Sequence, residues 1–335
     1  MREFIAKVLD GEALSEAEAA SAVDTIMEGQ ATPAQIGAFL AALRVRGETV
    51  DEIVGAARVM REKATRVPVT SDALDTCGTG GDGAGTFNIS TVAALVVAAA
   101  GVPVAKHGNR SVSSKCGSAD LLEELGVNLD LTPEAVARCV DEVGFGFLYA
   151  PLLHRAMKHA IGPRREIGAR TLFNILGPLT NPAFVRRQVL GVYTAERVLD
   201  LARALGRLGV ERALVVHGDG TDEIALTGPT LVVEVSGDSV RNYTVEPEDF
   251  GFQRATPGEL AGGDARRNAA IAEEILDGVP GPRLDAVLLN AGAAIWIGGA
   301  ADSWAEGIER AREAVERGDA KAKLDQLREC TRRAS

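Results

Sequence analysis

The residues best suited to chemistry lie in one stretch, Asp75 to Asp120. It opens Asp75-Thr76-Cys77-Gly78-Thr79-Gly80-Gly81-Asp82-Gly83 and continues through Asn88-Ile89-Ser90-Thr91. It then runs Lys106-His107-Gly108-Asn109-Arg110-Ser111, Ser113-Ser114 and Lys115-Cys116-Gly117-Ser118-Ala119-Asp120. No carboxylate falls between Asp82 and Asp120, a local reversal of sign in a chain of net charge −11. Glycines let backbone N–H groups approach an anion, and hydroxyls, an amide and lysines add donors. The pattern is that of a polyphosphate site. Lys106, Arg110 and Lys115 read as cations with no acid nearby. Ser90 precedes an apolar run and reads either as a helix N-cap or as part of an anion site at a helix start.

Gly78-x-Gly80-x-x-Gly83 has the spacing of a dinucleotide fingerprint, but that fingerprint needs a helix opening at the loop and an acid about 20 residues on. Here the helix is expected only near Ser90, and no acid occurs before Asp120. A phosphate loop of the G-x-x-x-x-G-K-[ST] form is absent. Further on, Asp222-Glu223 follows His217-Gly218-Asp219-Gly220-Thr221. Adjacent carboxylates after a strand suit Mg²⁺, which takes one or two carboxylates plus substrate phosphates. A second basic region spans 142–194, with Arg155, Lys158, Arg164, Arg165, Arg170, Arg186 and Arg187. His154 and His159 also fall there, and beyond Glu142 the only acid is Glu166. It is the natural place for a second anion, particularly a carboxylate held by Arg.

These segments need elements to position them. Residues 1 to about 66 read as helices only, with capping boxes at Ser15/Glu18 and Thr49/Glu52, Thr32-Pro33 as a cap with proline at N1, and stops at Gly29 and Gly47. Val67–Thr70 reads as a linker. From 71 the pattern becomes α/β, with strands expected near 73–76, 102–106, 145–149, 188–193, 212–217 and 231–235. Helices are expected near 91–100, 118–125, 133–143, 195–209 and 264–277, an antiparallel edge strand near 240–245, and helices from Leu284 onward. Such alternation gives a mostly parallel sheet flanked by helices, with ligands at the C-terminal strand ends. The segments 75–83, 106–118 and 217–223 would then share one edge.

The 335 residues suggest two domains, and 4% aromatic content with 37 glycines suits a helix-rich α/β protein. Net charge −11 argues against general nucleic-acid affinity. Cys77, Cys116, Cys139 and Cys330 form no CxxC pair, so reduced thiols in a cytoplasmic protein are the expectation. Met1-Arg2-Glu3-Phe4 shows no signal-peptide core, and the apolar run 92–104 is broken by Gly101 and Pro103, so no membrane segment is expected.

Over nearly its whole length the chain resembles the anthranilate phosphoribosyltransferase family. The resemblance rests on Gly78-Thr79-Gly80-Gly81-Asp82, Asn88–Thr91, Lys106–Ser111 and Gly117–Asp120. It extends to Arg170-Thr171-x-Phe173-Asn174-x-Leu176-Gly177-Pro178-Leu179-x-Asn181-Pro182, Asp222-Glu223 and Asn290–Ala294. It implies transfer of the phosphoribosyl group of PRPP to the amine of anthranilate, with Mg²⁺ as cofactor, two per subunit. It implies a homodimer formed through a helical domain, 1–68, to which part of 164–182 belongs, and a PRPP-binding α/β domain, 71–335. Carried over by motif, Gly78, Gly80, Gly81, Asp82, Thr86, Asn88, Ser90, Thr91, Lys106 and Ser118 line the PRPP site. Gly78, His107, Asn109, His154, Arg164 and Pro178 line the anthranilate site, with Arg164 on the carboxylate. Ser90, Asp222 and Glu223 serve the metals. His107 is the candidate general base, a positional role being the alternative. Cys116 and Thr221 stand where relatives often have Ser and Leu.

Two other readings compete. A pyrimidine nucleoside phosphorylase shares the architecture and glycine loop, but Asn109-Arg110-Ser111 and Asp222-Glu223 disfavour it. A non-catalytic binder of phosphates or nucleic acid is disfavoured by the net charge and the acidic pair.

Overall fold

The structure, a computed structural model, describes residues 1–111, 115–237 and 239–334. Ser113 and Ser114 of the glycine- and serine-rich stretch lie outside them.

Four helices open the chain: α1 (Arg2–Leu9), α2 (Glu16–Met27), α3 (Pro33–Arg46) and α4 (Val50–Lys63). Local chemistry sets their starts. Ser15, Thr32 and Thr49 each cap a helix and complete a box with Glu18, Gln35 and Glu52. Gly29 (φ 71°) and Gly47 (φ 92°) supply the left-handed backbone that ends α2 and α3.

Seven strands form one sheet: β1 (Leu74–Gly78), β2 (Val104–Gly108), β3 (Phe145–Tyr149), β4 (Arg187–Gly191), β5 (Arg212–Gly218), β6 (Thr230–Ser236) and β7 (Ser239–Val245). Their order is β3-β2-β1-β4-β5-β6-β7. The first five are parallel, whereas β6 and β7 pair antiparallel. The segment 219–229 between β5 and β6 contains no helix. A parallel return needs a crossover of a dozen residues or so, and without one the chain turns back on itself.

The remaining helices are α5 (Ile89–Ala99), α6 (Ser118–Glu124), α7 (Pro133–Arg138), α8 (Ala150–Leu153), α9 (Lys158–Ile167), α10 (Leu172–Leu176), α11 (Val198–Arg207), α12 (Ala265–Leu276), α13 (Pro282–Ile297), α14 (Trp304–Glu316) and α15 (Asp319–Arg333). The helix expected over 133–143 divides, α7 passing into a π-helical turn, Cys139–Val143. Strand alternation splits the core into two faces. Leu214 and Val216 of β5 face a layer built from α5 and α12–α15. Ala213 and Val215 face α11, the four N-terminal helices and the α9–α10 region, through Ala160 and Leu172–Leu179. Among the described residues, no helix is long and apolar enough to cross a membrane.

The strand order reverses once. From β1 the chain steps outward through β2 to β3, then returns to lay β4 on the other side of β1. The crevice between the C-terminal ends of β1 and β4 is where an open sheet of this kind binds ligands.

Candidate active site

Two glycines, Gly78 ending β1 and Gly191 ending β4, pair across that crevice. A Cβ on Gly78 would lie 2.2 Å from Asp222 Oδ2, and one on Gly191 would lie 1.6 Å from the Asp222 carbonyl oxygen. Both positions must be glycine for the acidic turn after β5 to lie across the strand ends. Gly80 N–H donates to Asp222 Oδ2 (2.6 Å), and Asp222 N–H donates to Asp82 Oδ2 (3.2 Å). Ser90 N–H, in the first turn of α5, donates to Glu223 Oε1 (3.1 Å). The turn is therefore stitched to both the glycine loop and α5.

Asp222 and Glu223 keep an edge toward solvent, but protein closes around their carboxylates. Desolvation lifts Asp222 to about 7, helped by the neighbouring Asp82 charge, and lifts Glu223 to about 8, helped by Asp222. Lys106 is the cation that partly offsets this crowding at Glu223. Among the described residues no group of three or more His, Cys, Asp or Glu is arranged to hold a metal ion. A cation here would take oxygens from its substrate as well, which is Mg²⁺ behaviour.

Lys106 is buried beneath this cluster. Its Nζ donates to the Thr76 carbonyl and lies 3.5 Å from Ser90 Oγ. Burial lowers its pKa, while Asp75, Glu223 and Asp222 oppose that shift. Ser118 starts α6, and its Oγ donates to the Asn109 carbonyl (3.3 Å). Thr91 is buried, and Thr86 bridges to Ala261.

On the other side of β2, His107 and His154 face each other with ring centroids 5.0 Å apart. His107 Nδ1 lies 3.1 Å from the Gly177 carbonyl, beside Pro178. A carbonyl only accepts, so Nδ1 carries the proton and Nε2 is left as an acceptor. That Nε2 is buried with no partner among the described residues, and His154 is buried with the Thr180 backbone beside its ring. Desolvation lowers His107 to about 3, with help from His154, and lowers His154 to about 4. Arg164 stands 5.5 Å from the Phe173 ring centroid, its pKa lowered by burial, and makes no ion pair among the described residues.

Several expectations change. Asn88, not Ser90, caps α5: its carbonyl accepts from Val92 N–H (3.1 Å), so the helix begins at Ile89 and the orphan Ser90 N–H goes to Glu223. The Asn88 side chain is spent on structure, donating to Cys116 O and accepting from Asn268 Nδ2. Arg110 is not a cation without acids: α6 folds back and pairs it with Asp120 and Glu123. Arg186 pairs with Glu211 and Asp72, and Arg187 pairs with Asp72, which removes both from the acceptor side. Asp75, Asn181 and Asn290 stand in the motifs, but their supporting roles and that of Gln188 come only from the structure. Asn290 of α13 clamps Ile224, accepting from its N–H (3.0 Å) and donating to its carbonyl (2.9 Å). Asp75 accepts from His107 N–H (3.1 Å) and Asn181 Nδ2 (2.8 Å), and Gln188 donates to the Pro178 carbonyl (2.7 Å). Their clue was polarity inside strands or apolar helices, where each needs a partner.

Residues 70–321 match the α/β domain model of a glycosyl transferase family, and residues 2–64 match that family's helical bundle domain. The chain is 59% identical to an anthranilate phosphoribosyltransferase of Pelotomaculum thermopropionicum, over 99% of this chain and 96% of the relative. Its fold superposes on the crystal structure of the Thermus thermophilus enzyme of that name with a TM-score of 0.93 and 47% identity, covering 98% and 99% of the two chains. Against the Saccharomyces cerevisiae enzyme in complex with PRPP and Mg the TM-score is 0.91 at 28% identity, covering 99% and 98%. The chain belongs to the anthranilate phosphoribosyltransferase family.

Proposed function

We infer that the protein transfers the phosphoribosyl group of PRPP to the amine of anthranilate, giving N-(5-phosphoribosyl)anthranilate and pyrophosphate in tryptophan biosynthesis. The observation that carries this reading is the junction at the β1–β4 crevice. The glycine turn is stitched there to Asp222 and the start of α5 to Glu223, with the buried Lys106 beneath them, and neutral histidines lie across β2.

The donor is assigned to Gly78, Gly80, Gly81, Asp82, Thr86, Ser90, Thr91, Lys106 and Ser118, with Asn88 spacing the loops. Asp222, Glu223 and Ser90 would hold Mg²⁺, for which the raised carboxylates are suited once a cation is present. When bound, that ion neutralises charge growing on the pyrophosphate as the anomeric bond breaks. The backbone N–H groups of the glycine turn add donors to the same charge. Bond breaking at an anomeric carbon passes through an oxocarbenium-like state, so holding the amine in line contributes chiefly through proximity. His107 Nε2 is free to accept from the amine, and a pKa of about 3 makes it an orienting acceptor rather than a strong base. Arg164 meets the carboxylate of the acceptor, with Gly78, Asn109, His154 and Pro178 shaping the site. Two Mg²⁺ per subunit are proposed because Asp222 and Glu223 face different loops, toward Gly80 and Ser90 respectively. Saturation at one ion in calorimetry would contradict that number. A cytoplasmic location is proposed on the reduced cysteine thiols, and a homodimer through the helical unit on the exposure there of Leu9 (67%) and Val45 (88%). A monomer in sedimentation at micromolar concentration would remove it.

Arg164→Ala tests the acceptor assignment. KM for anthranilate should rise roughly tenfold or more, as expected for losing a charge-assisted contact. KM for PRPP should stay within about twofold. Equal increases in both would overturn the assignment.

A further inference from the structure

Arg170 carries a guanidinium that the fold holds in place and that makes no ion pair among the described residues. It stands between α9 and α10, with its guanidinium carbon 4.0 Å from the Tyr193 ring centroid. Tyr193 N–H in turn donates to Thr79 Oγ1 (3.0 Å), so the stacking platform is fixed to the glycine turn. A Cβ on Gly81 would lie 2.6 Å from Arg170 Nη2. Arg170 Nη1 is buried and has no hydrogen-bond partner among the described residues. Glu48, the acid lining the same cleft, is already paired with Arg197.

A guanidinium placed this way wants an anion with two acceptor oxygens. Successive glycines of one turn face opposite groups: Gly80 faces the Asp222 carboxylate, and Gly81 faces the Arg170 fork. Arg170 also begins the segment that carries α10 and Pro178, which shares its apolar core with the N-terminal helices. Arg164 lies just before it. One cation therefore touches the donor loop from the side of the chain that builds the acceptor site.

We propose that Arg170 binds the pyrophosphate of the donor across the glycine turn, and that this contact couples donor binding to the placement of the 164–178 acceptor segment. The proposal rests on the reading that the glycine turn holds that pyrophosphate.

Inorganic pyrophosphate with Mg²⁺ is the probe, titrated by calorimetry into the full-length wild type, Arg170→Gln, Arg170→Lys and Gly78→Ala. The wild type should bind. Gly78→Ala should lose binding, because its Cβ collides with Asp222. Arg170→Gln should weaken pyrophosphate binding and raise KM for PRPP at least about tenfold, and Arg170→Lys should fall between. Anthranilate should bind the wild type more tightly with pyrophosphate present than without, and Arg170→Gln should abolish that enhancement while leaving affinity for the donor-free protein unchanged. Wild-type pyrophosphate affinity in Arg170→Gln, with binding lost in Gly78→Ala, would overturn the role of Arg170 alone. Undiminished binding in Gly78→Ala, or none in the wild type, would overturn the reading of the glycine turn instead. Equal loss of both ligands in Arg170→Gln, with no recovery in Arg170→Lys, would reduce Arg170 to a structural part and also defeat the proposal. If Arg170→Gln does not fold, Arg170→Lys decides by the same comparison: wild-type affinity contradicts a role for the fork, and a partial loss supports it.

Discussion

At the scale of single residues, the site is a set of groups held in uncomfortable ionisation states. Asp222 and Glu223 resist ionisation in the folded protein, to about 7 and about 8, through desolvation, with the Asp82 charge adding to the first and the Asp222 charge to the second. Their unfolded values lie at about 4. Folded values above unfolded ones give stability that is fully present below about pH 4 and lost as pH rises through about 7 to 8. His107 and His154 are shifted the other way and are neutral in both states above about pH 7. The melting temperature of the metal-free protein should therefore fall between about pH 6.5 and 8 and level off above. Saturating Mg²⁺ should raise it more at about pH 8.5 than at about pH 6, because the metal takes ionised carboxylates. Asp222→Ala with Glu223→Ala should flatten the slope and remove the Mg²⁺ response, as thermal melts would show. An equal Mg²⁺ effect at both pH values would place the metal elsewhere.

At the scale of elements, the acidic turn is held by a helix remote in sequence. Asn290 satisfies both the N–H and the carbonyl of Ile224 from α13. Removing it leaves buried backbone groups unpaired, at a cost of about 1–3 kcal/mol. Asn290→Ala should lose that much stability in urea titrations and should weaken Mg²⁺ binding, although it touches no substrate. Unchanged Mg²⁺ affinity would make Asn290 a packing residue only. The elements themselves were largely legible. Capping boxes at Ser15 and Thr49 and short apolar runs such as 145–149 mark local chemistry that survives in the fold. The direction of β6 was not legible, because it depends on what the 219–229 segment omits. The short helices α8 to α10 carry no sustained period, so 150–182 showed its basic and motif residues but not its shape. The pairing of Arg110 with Asp120 and Glu123 follows from how α6 turns back, which spacing does not encode.

At the scale of the whole molecule, one sheet edge gathers three loops that are far apart in sequence. The strand reversal at β1 and β4 opens the crevice, and Gly78 and Gly191 let the acidic turn cross it. The glycine turn, the Lys106 loop and the acidic pair were legible as types and spacing, whereas Asp75, Gln188, Asn181 and Asn290, which fix their positions, act across long sequence distances. The most direct test of this arrangement is to mix the purified protein with PRPP, Mg²⁺ and anthranilate and follow anthranilate fluorescence. The account predicts loss of fluorescence only when all three are present, with pyrophosphate released in equal amount. Unchanged fluorescence from a folded protein, with phosphate-dependent release of base from thymidine or uridine, would contradict it.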